Sequence, residues 1–428
     1  MKTLPFSPIR KIILIVAVLI LVGGIGYRLG ERKANSFQTL KNTQITGTEP
    51  PSAVRVDFSL FWDVWQRLKT YYIDAGNIDT QKMVWGAISG MVNSLDDPYT
   101  AFLTPKENKE FKEDIGGSFQ GIGAQLGLRD GKVIVQSPLR GSPAERAGLL
   151  PLDWIVKVND EETFGWTIAQ AVSKIRGPKG TTVTLTIVHE KAEKTNDVSI
   201  IREEIIIPSV ESWVKSVSEV KEISGLSGLS SILFSPKRVG YIALSRFGDR
   251  TNEEWQKAVS DISKAEKTNS GLAGFVFDLR NNPGGYLEGA VFIASEFLKS
   301  GVVVTQVNSD GTKDTMSINR KGQLTTIPMV VLINQGSASA AEIVAGALKD
   351  HKRAKIVGET SFGKGSVQSP QELTGGSSVH ITTGKWLLPN GDWINKKGIT
   401  PDVEVKMDNL SIATQDAQLA RAIELLLQ

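Results

Sequence analysis

The sequence predicts a multidomain α/β chain with an N-terminal membrane segment, a helical N-terminal region, an inserted β-rich domain and an α/β core. Three observations carry this. In the second half, short β-branched runs alternate with helical patterns, as layered α/β cores do. Residues 116–188 instead read as short strands separated by glycine turns. Residues 12–27 form an unbroken apolar and glycine run between basic flanks. The chain has 428 residues, enough for two or three domains. Its 49 basic and 46 acidic residues leave a net charge of +3, which gives no footprint for nucleic acid. Cysteine is absent, which excludes disulfides, thiolate metal sites and a cysteine nucleophile. No metal or cofactor is implied.

In chain order, residues 1–30 come first. Lys2, Arg10 and Lys11 precede the apolar run and Arg28, Arg32 and Lys33 follow it. At about 16 residues it is slightly short of the roughly 20 of a typical span, and no Ala-x-Ala site follows. The run reads as an uncleaved signal anchor, with a cleaved signal peptide as the alternative. The expected location is extracytoplasmic, anchored to the cytoplasmic membrane by residues 12–27 or exported. Residues 31–55 are polar, carry Pro50-Pro51 and read as a linker. The helical region, 56–115, opens with an amphipathic helix over 58–72, where Phe61, Trp65, Leu68 and Tyr72 recur at helical spacing as core or subunit contact. A homodimer is a candidate assembly. A second helix over 81–95 ends at Asp96-Asp97-Pro98, a turn signal.

Residues 116–190 form the inserted domain. Phe119-Gln-Gly-Ile-Gly-Ala124, a strand over 133–136, Gly141-Ser-Pro-Ala-Glu-Arg-Ala-Gly148 and Asp153-Trp-Ile-Val-Lys-Val-Asn159 follow one another. The series is similar to a PDZ domain, which adds a peptide to a sheet edge and holds its terminal carboxylate in a backbone nest. Gly121, Ile122, Gly123 and Ala124 are the candidate nest, because glycine lets backbone N–H groups converge. A helix over 169–175 and the turn Arg176-Gly-Pro-Lys-Gly180 precede an alternating strand over 182–188. The domain lies between the helices and the core, so both connections run into the rest of the chain. Arg176 is the candidate coupling residue between them, against the plainer reading of a surface arginine in a polar turn.

The core, 191–428, begins near 198–208. Residues 214–235 include Ser224-Gly-Leu-Ser-Gly-Leu-Ser-Ser231 and read as a flexible insertion near the cleft. A strand over 239–244, a helix over 253–264 and a strand over 275–279 lead to Arg280-Asn-Asn-Pro-Gly-Gly285, followed by a helix. That loop ends a strand, where α/β proteins place ligand sites, and its glycines let N–H groups approach a substrate carbonyl.

Next comes Asn334-Gln-Gly-Ser-Ala-Ser339-Ala-Ala-Glu342, between an apolar strand pattern and an Ala-rich helix. Ser339 therefore sits at a helix N-terminus, where exposed N–H groups and the helix dipole favour a developing negative charge. Ser339 to Glu342 also has the spacing of a capping box. A serine nucleophile needs a base. His189, His351 and His380 lie in no triad motif. Lys364, in Phe362-Gly-Lys-Gly-Ser-Val-Gln368, can serve if burial lowers its pKa. Gln368, four residues on, shares its face and can accept from the amine. The same stretch resembles a P-loop from Gly358 onward, but Gly365 replaces the required Ser or Thr and a strand pattern follows.

These motifs resemble the active-site motifs of the carboxyl-terminal processing, or tail-specific, proteases, and the resemblance runs from about residue 58 to about 405. It implies a crotonase/Clp-like protease core. It also implies Ser339 as nucleophile, Lys364 as general base and Gln368 as the orienting residue. The oxyanion hole would lie at Gly284 or Gly285 with the N–H of Ala340. Gly86-Ala-Ile, Gly90-Met91 and Leu95-Asp-Asp-Pro98 match the family's helical region, and residues 379–391 and 398–402 match its last strands. Trp386 and Leu387 stand where tyrosines are common and Ser361 where threonine is usual, near the expected substrate path. The expected function is a serine endopeptidase acting on protein or peptide substrates with free C-termini. The alternative is a non-catalytic PDZ scaffold on a degenerate protease core.

Overall fold

The structure, a computed structural model, describes residues 56–190, 192, 194–224, 237–268, 271–406 and 416–428. The expected membrane segment and linker lie outside the described residues, among which no helix is long and apolar enough to cross a membrane. The chain divides into two compact units, Met1–Asp79 and Thr80–Gln428. In the first, helix α1 spans Ser59–Tyr71, one residue inside the expected bounds at each end. Its Phe61, Trp62 and Trp65 rings meet at 4.9 to 6.1 Å, and no residue of α1 is buried among the described residues.

The second unit opens with α2 (Thr80–Asn93), β1 (Ala101–Leu103) and α3 (Pro105–Gly116). The Asp-Asp-Pro turn works as expected, with Asp96 at φ 53° beyond the end of α2. Thr104 and Glu107 close a capping box at the start of α3.

The inserted domain hangs on two antiparallel strands. Strand β2 (Ser118–Gly121) leads in, and after β3 (Ala124–Arg129), β4 (Lys132–Pro138), α4 (Pro143–Arg146), β5 (Trp154–Val158), β6 (Glu161–Glu162), α5 (Ile168–Ile175), β7 (Thr182–Val188) and β8 (Asn196–Ile201), strand β9 (Glu203–Ile206) returns to pair with β2. The sheet order is β3-β4-β5-β7-β8, with β6 on β5. Alternation drives the packing: Val183, Leu185 and Ile187 of β7 are fully buried and their neighbours are not. The domain outruns the expected boundary at 190, because β8 pairs with β7 along six residues. Residues 198–201 thus close this sheet and are not the start of the core.

The core consists of β10 (Val210–Ser216), α6 (Val217–Ser224), β11 (Arg238–Leu244), α7 (Thr251–Glu266), β12 (Leu272–Asp278), α8 (Leu287–Ala294), β13 (Val302–Asn308), β14 (Lys313–Ser317), β15 (Met329–Ile333), α9 (Ala340–Asp350), β16 (Lys355–Gly358), β17 (Ser366–Glu372), β18 (Ser378–Leu387), β19 (Val403–Glu404) and α10 (Ala417–Leu427). One sheet runs β10-β11-β12-β15-β16-β19, parallel from β11 onward. Parallel sheets are covered on both faces, and this one is. Phe275, Phe277, Val331 and Ile333 point into a core with α7, α8 and α9; Val276, Val330 and Leu332 point to the opposite face, against α6 and α10. An antiparallel sheet, β1-β18-β13-β14 with β17 also on β18, completes the core.

The flexible insertion expected over 214–235 is corrected in its first half. Residues 214–216 finish β10, and α6 buries Val217 and Val220, three apart on one face. Residues 225–236 lie outside the described residues.

Candidate active site

Ser339 lies where the chain leaves buried β15 and enters α9. Its backbone has φ 54° and ψ −117°, a conformation a non-glycine residue holds only when its surroundings impose it. They do so here by hydrogen bonds. The Ser337 hydroxyl donates to the Leu279 carbonyl at 2.8 Å, the Ala338 N–H to the Asn282 carbonyl at 2.9 Å and the Ser339 N–H to Glu342 Oε2 at 2.8 Å. Ser339 is thus both the N-cap residue and a residue held in a strained turn.

Glu342 does far more than cap the helix. Its side chain is fully buried, and its second set of partners comes from the loop that carries Lys364. Oε1 accepts from the Ser361 hydroxyl and the Gly363 N–H, each at 2.6 Å, and Oε2 accepts from the Lys364 N–H at 2.9 Å. A single carboxylate therefore holds the backbones of both Ser339 and Lys364. Charge-assisted bonds of this kind are roughly twice as strong as neutral ones. Gly363, at φ 86°, lets the loop pass close to residues 396–398: an added Cβ would stand 2.8 Å from the Gly398 nitrogen.

Lys364 is half-buried, and its Nζ makes no hydrogen bond or ion pair among the described residues. It stands 5.2 Å from the centroid of the Tyr99 ring, within cation–π range. Burial pushes its pKa below the usual lysine value, and the negative charges of Glu342 and Asp97 oppose the shift without cancelling it. Asp97 and Tyr99 come from the turn after α2. Asp97 accepts from the Tyr99 N–H at 3.1 Å and from the Thr100 hydroxyl at 2.6 Å, and Thr100 Oγ1 in turn accepts from the Thr382 N–H of β18 at 3.0 Å. Sequence reasoning treated this stretch as a turn only.

Gln368 sits in β17 and does not hydrogen-bond Lys364. Its amide donates to Ser366 Oγ at 2.9 Å and Thr382 Oγ1 at 3.2 Å. The shared-face argument failed because Lys364 precedes the strand, which begins only at Ser366.

The glycine loop meets Ser339 directly. Gly284, at φ 102°, lies so close that an added Cβ would stand 2.8 Å from Ser339 Cβ and 3.0 Å from the Ala340 nitrogen. Its own N–H donates to Asn282 Oδ1 at 2.8 Å. Among the described residues the N–H groups of Gly285 and Ala340 have no partner, so of Gly284 and Gly285 it is Gly285 whose N–H is free.

The histidines are elsewhere. His351 caps the far end of α9 and pairs with the Val302 carbonyl at 2.8 Å, roughly 18 Å along the helix from Ser339. His189 pairs with Asp153 in the inserted domain at 2.7 Å, and His380 stacks edge-on with Phe111 at 4.6 Å. No cluster able to hold a metal occurs among the described residues. The P-loop reading is overturned by β17, a strand where a helix is needed. Of the departures from the family pattern, Ser361 supports Glu342 and Trp386 is buried.

In the inserted domain β3 is a sheet edge, with α5 packed beside it. Just before β3, the Ile122 and Gly123 N–H groups have no partner among the described residues, and Gly123 has φ 74°. Arg176 ends α5 and reaches out of the domain. Its guanidinium lies 3.4 Å from Glu113 of α3 and 4.4 Å from the Phe119 ring centroid.

Comparison with known proteins agrees with this architecture. Residues 238–405 match the model of peptidase family S41, residues 134–188 a PDZ domain, and residues 20–107 the N-terminal domain of the activating protease CtpB. The chain is 38% identical over 368 residues to carboxy-terminal processing protease CtpA of Bacillus subtilis (strain 168), which spans 86% of this chain and 72% of that protein. It is also 38% identical over 332 residues to carboxy-terminal processing protease CtpB of the same organism, spanning 77% of this chain and 64% of that protein. A solved structure from Bacteroides fragilis NCTC 9343, described as an S41 protease, shares the fold, with a TM-score of 0.51 at 17% identity over 89% of this chain and 98% of that one. The chain belongs to the carboxy-terminal processing protease family, serine peptidases of family S41 that carry a PDZ domain.

Proposed function

We propose that this serine peptidase cleaves protein substrates with a Ser339–Lys364 dyad and selects them by their free C-terminal tails through the PDZ domain. The observation that carries the reading is the Glu342 carboxylate, which ties the backbone of a strained serine at a helix N-terminus to that of a lysine with a lowered pKa. In the reaction, Ser339 Oγ attacks the scissile carbonyl as its proton passes to neutral Lys364 Nζ. The N–H groups of Ala340 and Gly285 receive the oxyanion. Lys364 then returns the proton to the leaving amine, and water, activated in the same way, hydrolyses the acyl-enzyme. Gln368, bonded to Ser366 and Thr382, orients the lysine through β17 and not by direct contact.

The open edge of β3 and the N–H groups of Ile122 and Gly123 support tail binding: the edge takes the peptide as a strand and the nest takes its carboxylate. Arg176 supports coupling. It joins α5, beside that edge, to α3, so a bound tail that favours one position of α5 biases the Arg176–Glu113 contact. The basic-flanked run at 12–27 supports an envelope location, anchored or exported, and the exposed aromatic stripe of α1 supports a homodimer.

The test is cleavage of a fluorescent unstructured protein in the presence of a short peptide with an apolar C-terminus. The peptide acid should bind and accelerate cleavage, its C-terminal amide should do neither, and Arg176→Ala should lose the acceleration with peptide affinity kept within a few-fold. Cleavage by Ser339→Ala at the wild-type rate would sink the catalytic reading and favour the scaffold. Equal effects of acid and amide would sink the nest.

A further inference from the structure

We propose that Arg280 and Asp416 are positioning residues for the glycine loop, so that the C-terminal segment of the chain completes the active site. The proposal rests on the catalytic reading given above.

Strand β12 ends at Asp278, two residues before the guanidinium that fixes the loop. Arg280 Nε lies 3.0 Å from each Asp278 oxygen, and the Arg280 N–H donates to Asp278 Oδ1 at 2.9 Å. The other side of the guanidinium is taken by the segment entering α10: Nη1 and Nη2 each donate to Asp416 at 2.8 Å, and Nη1 also to Gln418 Oε1 at 3.2 Å. The arginine side chain is 13% exposed and the Asp278 side chain 7%. Tyr241 adds a hydroxyl bond to Asp278 Oδ2 at 2.8 Å. Two carboxylates facing one guanidinium in a buried site fix its plane, because a bidentate fork tolerates little rotation.

From Arg280 the constraint passes to the reacting groups in few steps. Asn281, at φ 56°, donates its N–H to Asn334 Oδ1 at 2.8 Å and accepts from Asn334 Nδ2 at 2.9 Å. Asn282 receives the Ala338 N–H next to the nucleophile and holds the Gly284 N–H on its side chain. The loop is therefore clamped to the Ser339 turn at one end and to Asp416 at the other. Asp416 lies far along the chain from every other group of the site. Arg280 and Asp416 touch neither substrate nor oxyanion; they set where Gly285 presents its N–H.

Asp416→Asn separates positioning from folding. Asparagine caps helices as well as aspartate, so the bond to the Leu419 N–H at the start of α10 is kept, whereas the charge facing Arg280 is lost. In the full chain, kcat for a quenched fluorescent peptide substrate should fall between about 10- and 100-fold with KM within about twofold, as for sub-ångström misplacement of a catalytic group. Labelling of Ser339 by a fluorophosphonate should slow in parallel, and hydrogen exchange should rise in 280–286 while the rest of β12 stays protected. Asp416→Glu, which restores the charge, should recover part of the rate. An unchanged kcat in folded Asp416→Asn and Arg280→Lys would overturn the proposal, as would a loss that follows the unfolded fraction alone. The two levels separate in the same assay: activity in Ser339→Ala removes the catalytic reading itself, whereas an inactive Ser339→Ala beside a fully active Asp416→Asn removes only the positioning role.

Discussion

Lys364→Ala should lose proteolysis as completely as Ser339→Ala, and the double variant should be no worse than either, because in the proposed mechanism nucleophile and base act as one unit. Lys364→Arg should not rescue, since a guanidinium does not deprotonate in the working range. The pH profile gives the sharper test. The proposed base is the neutral amine, so the rate should rise with pH through the depressed pKa of Lys364. Stability follows the same proton. The unfolded lysine keeps its proton up to its ordinary pKa of 10.5, whereas the folded one gives it up earlier. Between those two values the unfolded state binds more protons, so stability rises with pH across that window. Lys364→Met should flatten this part of the stability curve. His351→Ala and His380→Ala should keep the alkaline-favoured profile; an acid limb that disappears with either histidine would transfer the base role to it.

Glu342→Ala should be among the most damaging single substitutions in the core. It removes a buried carboxylate that receives four hydrogen bonds, three from backbone N–H groups and one from Ser361. Leaving those donors without an acceptor should cost roughly 3 kcal/mol or more, read as the shift in a urea or guanidinium unfolding curve. Activity should vanish with it, as Ser339 and Lys364 lose their common tether. Glu342→Gln tests the electrostatic part. Glu342 raises the Lys364 pKa against the effect of burial. Taking away its charge should therefore move the acid limb of any residual activity to lower pH. Wild-type stability in Glu342→Ala, or a limb moved to higher pH in Glu342→Gln, would contradict this account of the carboxylate.

The strand–turn–helix around Ser339 was legible because its cues are local: an apolar strand, a Ser-Ala-Ser turn and an Ala-rich helix follow one another between Met329 and Asp350. The glycine loop was legible for the same reason. Glu342 could be read only as a capping residue, because its other donors lie in 361–364, and nothing in the local pattern says that this stretch returns to the helix. Tyr99 and Asp97 were hidden further still, inside a turn motif whose glycine-free, proline-bearing sequence says where the chain bends and not what it bends toward. Gln368 was misplaced by assuming one regular element from 364 to 368, whereas β17 begins only at Ser366. The polar, serine-rich look of 214–235 concealed a short helix that buries Val217 and Val220. The boundary at 190 failed because β8, with Asn196 and Asp197 at its start, lacks the apolar alternation of β7.

Strand β1 has a consequence for how the enzyme comes into being. It adds to β18 in the register Ala101↔His380, and the bond between Thr382 and Thr100 spans 282 positions of sequence. Closing so large a loop costs entropy before any contact rewards it, so such pairings form late. A chain emerging from the ribosome exposes residues 97–100 long before β18 exists to receive them. The lysine loop, the serine turn and the Asp97–Thr100 turn meet only after nearly the whole polypeptide has been made. A partly synthesised chain thus carries every side chain of the serine turn before β18 exists to bring the Asp97–Thr100 turn to it.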